Sequence, residues 1–137
     1  MQARHLQHEV RTMRVLVCGG RHYSDVYRVH HTMQQLPHDC IVVTGGARGA
    51  DTLAENSALS LGLLTEVHYA NWDRYGRSAG VRRNKEMLDT GIDYVIAFDG
   101  GSGTADTVRR AENRGIKVYF PDQGTLAPSD FQDHLEL

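Results

Sequence analysis

The chain has 137 residues, Lys+Arg 15 against Asp+Glu 17 for a net charge of −2, and is 40% hydrophobic and 23% charged. That size and balance describe one globular core and exclude a second independent domain or a disordered chain, and the slightly acidic charge gives no general pull toward nucleic acid or an acidic membrane. No apolar run approaches the roughly 20 residues that cross a bilayer. The N-terminal MQARHLQHEVRTM lacks the apolar centre of a secretory signal, and Cys18 and Cys40 form neither a disulfide framework nor a CxxC pair. The chain reads as a reduced, cytoplasmic domain.

Residues 1–12 are polar without a sustained period and read as an N-terminal extension; the domain is expected over 13–121, and 122–137 as a C-terminal tail. Arg14–Cys18 is a short apolar run closed by Gly19-Gly20, the pattern of a buried strand. Ser24-Asp25 offers an N-cap, and Val26, Val29, Met33 and Leu36 recur at helical spacing until Pro37. The unit repeats. Cys40–Thr44 is a second strand ended by Gly45-Gly46, and a helix from about Ala50 carries Leu53, Ala54, Ala58 and Leu61 to a stop at Gly62. Leu64–Tyr69 reads as a third, more polar strand, Asn71–Ser78 as a loop, and 81–88 as a short helix. Asp93–Phe98 makes a fourth strand with Gly100–Gly103 as its turn, Thr104–Arg114 a helix ending at Gly115, and Ile116–Phe120 a fifth strand closed by Pro121. A last turn is expected near Phe131–Leu135.

Strands alternating with helices of about ten residues imply βαβ crossovers, and strands apolar without alternation imply burial on both faces. The fold expected is a Rossmann-like three-layer αβα sandwich on a five-stranded, mostly parallel sheet, in the order 3-2-1-4-5. In such sheets ligands bind beyond the carboxyl ends of the strands, near the switch point. Here Gly19-Gly20-Arg21, Gly45-Gly46-Ala47-Arg48-Gly49-Ala50-Asp51, Trp72–Gly80 and Gly100-Gly101-Ser102-Gly103-Thr104 each follow a strand.

Glycine-rich turns that open helices expose backbone N–H groups to an anion and add the positive helix end. GxxxxGK[ST] is absent, however, and the GxG of Gly101–Gly103 has Asp106 where the third glycine of a dinucleotide motif belongs. Ordinary NAD binding is therefore disfavoured, and no cofactor is expected. Arg21, Arg48, Arg74, Arg77, Arg82 and Arg83 lie on or beside the same loops, as planar donors suited to phosphate oxygens. Arg109, Arg110 and Arg114 lie further along a helix, where solvation or pairing with Glu112 is expected. Trp72 is either a base-stacking face or a packed loop anchor. Asp51 and Asp106 are assigned to first helical turns, as dipole partners or as groups acting on a ribose or glycosidic bond. The eight histidines show no metal-ligand spacing, so no metal is expected. Cys18 reads as a plain buried thiol, and Ser102 is not in a GxSxG elbow.

The ordered blocks Val17–Arg21, Thr44–Asp51, Trp72…Gly76…Ala79–Asn84 and Gly100–Thr104 resemble the YspA/YpsA-related branch of the SLOG superfamily, which includes the LOG (lonely guy) and DprA-like proteins, over roughly residues 13–121. The resemblance implies a Rossmann-like domain binding a nucleotide or nucleotide-derived small molecule at its glycine loops, through Gly19, Gly20, Arg21, Gly45, Gly46, Arg48, Gly49, Asp51, Trp72, Arg82, Asn84 and Gly100–Thr104. It also implies a homodimer or larger assembly. LOG enzymes release a base from a nucleoside 5′-monophosphate with a PGGxGTxEE motif. Here that motif becomes Asp99-Gly-Gly-Ser-Gly-Thr-Ala-Asp106-Thr107, and an upstream arginine segment becomes Arg83-Asn84-Lys85-Glu86-Met87. The glycines carry over better than the catalytic set.

Two functions compete: a nucleotide sensor, and an N-glycosidase (phosphoribohydrolase) in which Arg83 holds substrate and Asp106 steadies an oxocarbenium-like transition state. DprA-like DNA binding ranks third because of the acidic balance.

Overall fold

A computed structural model of the chain describes residues 12–124. Its elements, in chain order, are β1 (Arg14–Cys18), α1 (Val26–Met33), β2 (Ile41–Thr44), α2 (Ala50–Leu61), β3 (Leu64–Val67), α3 (Trp72–Tyr75), a 3₁₀ turn (Gly76–Ser78), α4 (Ala79–Asp89), β4 (Tyr94–Ala97), α5 (Ser102–Asn113) and β5 (Lys117–Tyr119). The strands form one all-parallel sheet in the order β3-β2-β1-β4-β5. This is the expected Rossmann-like architecture, in the expected strand order.

Successive side chains of a strand point to opposite faces, so β1 feeds two cores. Val15 and Val17 pack with Val29 and Met33 of α1, Ala50, Ala54 and Ala58 of α2, and Ile96 and Phe98. Leu16 and Cys18 pack on the other side with Met87 and Leu88 of α4, Val95 and Ala97 of β4, and Ala111 of α5. Both faces of the central strands are therefore dry, which is why their sequences do not alternate. The edge strands β3 and β5 are partly exposed, as their more polar sequences allow.

Local chemistry sets the helix ends. Asp25 caps α1, its Oδ1 accepting from the Arg28 N–H at 3.0 Å. Gly62 ends α2 in the left-handed conformation with φ of 75°. The small Ala50, Ala54, Ser57 and Ala58 on the buried side of α2 keep it close to the sheet.

Asn71–Ser78 is not a plain loop. The Asn71 side chain accepts from the Arg74 N–H at 3.1 Å and starts the single turn α3, and the 3₁₀ turn carries the chain into α4. Helix α4 begins at Ala79 and α5 at Ser102, each two residues before the expected start. The expected turn near Phe131–Leu135 and nearly all of the 1–12 extension lie outside the described residues. No described helix is long and apolar enough to cross a membrane.

Candidate functional site

Because every strand is parallel, the loops leaving β1, β2 and β4 emerge at one edge of the sheet. The chain leaves β1 toward β2 and β3 on one side and returns to β4 on the other, so the β1 and β4 loops part at the switch point. Gly20 is the point of convergence. Its N–H donates to the Asp99 carbonyl at 2.8 Å, and its carbonyl accepts from the N–H groups of Ala50 and Tyr23, both at 3.1 Å. A Cβ on Gly20 would lie 2.9 Å from the Asp99 carbonyl oxygen, and one on Gly100 would lie 2.6 Å from the Gly20 nitrogen. One on Gly49 would run into the Gly20 carbonyl and the Arg21 backbone, and Gly49 also holds a φ of +74°. Gly19 has no room either, with Ala50 Cβ at 2.6 Å from where its own would stand. Three loops are packed backbone to backbone, and glycine is what permits it.

The α5 N-terminus opens beside this junction. Gly101 is its N-cap and no side chain caps it; Gly101, Ser102 and Gly103 are exposed, while Thr104 is half-buried with its Oγ1 where a Gly100 side chain would go. Uncapped first-turn N–H groups favour an anion. Arg21 and Arg48 are both exposed and unpaired among the described residues, and each adjoins a glycine of the junction, Gly20 and Gly49.

The β2 loop is arranged differently from a free phosphate cradle. Asp51, buried in the first turn of α2, accepts from the N–H groups of Gly45 at 3.1 Å and Ala47 at 3.2 Å. Burial raises its carboxyl to about 6 against the lowering effects of those N–H groups and of Arg83. Gly46, with φ of +68°, faces the ring of Tyr69, whose Cε1 lies 2.5 Å from where a Cβ would stand. Asp51 and Tyr69 thus occupy the proximal half of this loop, and Arg48 and Gly49 lie beyond it.

Helix α4 holds the two glycine loops in register. Arg83 Nη1 donates to the Gly45 carbonyl in a very short contact and to the His68 carbonyl at 3.4 Å, and Nε donates to Asn84 Oδ1 at 3.0 Å. Burial lowers the guanidinium's pKa, opposed by the Asp51 charge. Asn84 Nδ2, buried, donates to the Gly103 carbonyl at 3.2 Å and to Asp106 Oδ2 at 3.1 Å. The Arg-Asn pair thus spans from the β2 loop to the β4 loop. Cys18, beneath it, is a buried thiol whose pKa is pushed up by burial and by the Asp51 charge.

Asp106 lies past the first turn of α5, which corrects its assignment there. Its Oδ1 accepts from Arg109, and its Oδ2 accepts from Arg110 at 2.9 Å and from Asn84. Burial opposes its charge, but the hydrogen bonds from Asn84 and Arg110 outweigh this and hold the carboxyl below its ordinary range. Arg109 and Arg110 therefore pair with Asp106 rather than with Glu112, and Arg114 reaches Asp89 at 2.9 Å. The i, i+3 and i, i+4 spacing from Asp106 is the signal that shows this in the sequence.

Two expected residues have their contacts on the segment that leads into α4. Arg82 lies over the Tyr75 ring at 4.3 Å and donates to Ser78 Oγ at 3.0 Å, bracing the turn before α4. Trp72 is 54% exposed, so it is no packed anchor. Asp122 is a site-edge residue that the sequence pattern did not mark. Its carboxylate accepts from Tyr23 Oη at 2.7 Å and from the Asp99 N–H at 2.8 Å, tying the β1 and β4 loops from behind.

The model of the YspA, cpYpsA-related SLOG family matches residues 13–75. Gene 61 protein of Mycobacterium phage D29 is 37% identical over 116 residues, covering 77% of this chain and 93% of that protein. Among solved structures, DNA processing protein A (DprA) from Streptococcus pneumoniae superposes with a TM-score of 0.69 at 22% identity, over 80% of this chain and 50% of that one. The chain thus spans half the length of the DprA chain, and that likeness speaks for the fold. With the glycine blocks, the sheet order and these likenesses in agreement, the chain belongs to the YspA, cpYpsA-related SLOG family.

Proposed function

We propose that the protein binds a nucleotide or nucleotide-derived ligand as a sensor, with its phosphate at the junction of Gly20-Arg21, Arg48-Gly49 and Gly100–Thr104. The observation that carries this reading is the uncapped α5 N-terminus beside Arg21 and Arg48, exposed and unpaired among the described residues, at the switch point. Glycoside hydrolysis is the poorer reading. Asp106 has both oxygens engaged by Asn84, Arg109 and Arg110, so its charge is already neutralised where a transition-state cation would need it. Arg83 is likewise spent on main-chain carbonyls.

Incubation with a panel of nucleoside monophosphates and their cyclic and diphosphate forms, read by calorimetry and mass spectrometry, tests this. Retained ligand without released base is expected, with Arg21→Ala and Arg48→Ala each weakening binding about tenfold, the scale of one charge-assisted hydrogen bond. Released base that disappears in Asp106→Asn would establish the glycosidase instead. Single-stranded DNA belongs in the same panel, since the fold neighbour is named for DNA processing. The reading also includes self-association into a dimer or larger, for which the exposed Tyr27, Leu59 and Leu64 supply uncovered apolar surface. Light scattering that gives the monomer mass at tens of micromolar would remove that part.

A further inference from the structure

Beside the β2 loop, two large aromatic side chains stand in the open. Tyr69 is 72% and Trp72 54% exposed, and both line a depression of about 390 Å³ together with Ala70, Asn71 and Asp73. Neither ring hangs loose. The edge of Tyr69 lies against Gly46, where any side chain would displace it, and Trp72 Cη2 comes within 3.4 Å of where a Gly80 Cβ would stand. The segment between them is tied down at Asn71, whose side chain caps α3. Two glycines back two rings and leave the rings' remaining surface to solvent. Aromatic side chains have few rotatable bonds, so exposed rings lose little entropy on binding a planar group.

We infer that Tyr69 and Trp72 form a stacking platform for the base of a mononucleotide, an assignment that rests on the phosphate reading of the neighbouring junction. Arg48 stands two residues beyond Gly46 in the same loop, so a phosphate contact and the platform share one short stretch of backbone. The rim favours a single nucleotide over a polymer: Asp73 is part of the lining, and the chain's net charge is −2. Stacking is tolerant of base identity because every base has a π-face, so the platform supplies affinity for a base and the rest of the site supplies discrimination.

Trp72 is the chain's one tryptophan and reports directly on its own surroundings. The four nucleoside 5′-monophosphates, adenosine and ribose 5-phosphate are titrated by calorimetry and by intrinsic fluorescence. The monophosphates are expected to quench Trp72 and to bind about tenfold or more tighter than ribose 5-phosphate, within the range of base–aromatic stacking. Tyr69→Ala and Trp72→Ala should bring AMP to the ribose 5-phosphate level without changing ribose 5-phosphate binding, and Tyr69→Phe should keep AMP affinity. Equal affinity for AMP and ribose 5-phosphate with no quenching overturns the platform and leaves the phosphate site standing. Quenching by adenosine with no ribose 5-phosphate binding supports the platform and overturns the phosphate site. No binding by any of them overturns both. An oligothymidylate held more than about tenfold tighter than AMP, and lost in Tyr69→Ala, assigns the rings to single-stranded nucleic acid and overturns the mononucleotide. An assembly that Tyr69→Ala dissolves while AMP binding persists overturns it in favour of an interface between copies.

Discussion

At Asp51, burial and hydrogen-bonding partners pull in opposite directions. Burial raises it to about 6, while the Gly45 and Ala47 N–H groups and Arg83 favour its charge. A folded value above the unfolded 3.8 means that the native state binds the extra proton. Its contribution to stability is therefore complete below about 3.8 and is lost as pH rises through about 6. The loss is on the order of 3 kcal/mol. Asp51→Asn removes it, so the Tm of the variant minus that of the parent should rise by several degrees between pH 4 and pH 7 in thermal melts. Glu66 has the opposite sign. The Arg14 hydrogen bond at 2.7 Å, then the one from His68, lower it from 4.5 to about 2. Its contribution is present above about 4.5 and lost as pH falls toward 2. The advantage of the parent over Glu66→Gln should accordingly shrink below pH 4.5. The two windows do not coincide, so one pH series of melts separates them.

At the scale of elements, α4 is the brace of the site, through Arg83 to the β2 loop and Asn84 to the β4 loop. Asn84→Ala leaves the Gly103 carbonyl without its Asn84 donor and removes the neutral donor from Asp106. A buried hydrogen bond removed from one side costs about 1–3 kcal/mol, so the melt should fall by roughly 2–15 °C for a domain of this size. Ligand binding should weaken too, because the α5 N-terminus loses its tie to α4 and, through Arg83, to the β2 loop; calorimetry on a variant still folded at 15 °C checks it. Gly46→Val, by contrast, does not report on phosphate alone. Its side chain would meet Tyr69 and Val67 before any ligand arrived.

Across the whole molecule, two apolar layers share one sheet. Leu16 lies in the core under α4 and α5, Met33 of α1 in the core that α1 and α2 form with the other face of the sheet, and both are buried. β1 carries side chains into each layer, so neither layer can melt without exposing the strand that the other packs on. Leu16→Ala and Met33→Ala should each cost about 2–5 kcal/mol and each lower one common unfolding transition. Calorimetry showing two separated transitions in either variant would mean that the layers unfold independently.

The fold was legible because its causes are local. Val15–Cys18 is apolar at consecutive positions and is followed by two glycines, and Asp25 stands one residue before Val26, so strand, turn and cap follow from neighbours in the chain. The edge on which a ligand would sit was legible for the same reason, since every glycine block directly follows a strand and all strands run one way. What the residues in those blocks do is a matter of long-range pairing. Arg83 meets Gly45 across 38 residues, Asn84 meets Gly103 across 19, and Asp122 meets Tyr23 across 99. No periodicity encodes such separations, so the loop-holding contacts of Arg83 and Asn84 are visible only in the packing. Trp72 and Tyr69 make the same point from outside the core. Their types were written in the chain, but whether an aromatic ring is buried or bare depends on what the rest of the molecule lays over it. Local pattern determined the elements and the edge; only tertiary packing decided which side chains brace that edge and which are left facing solvent.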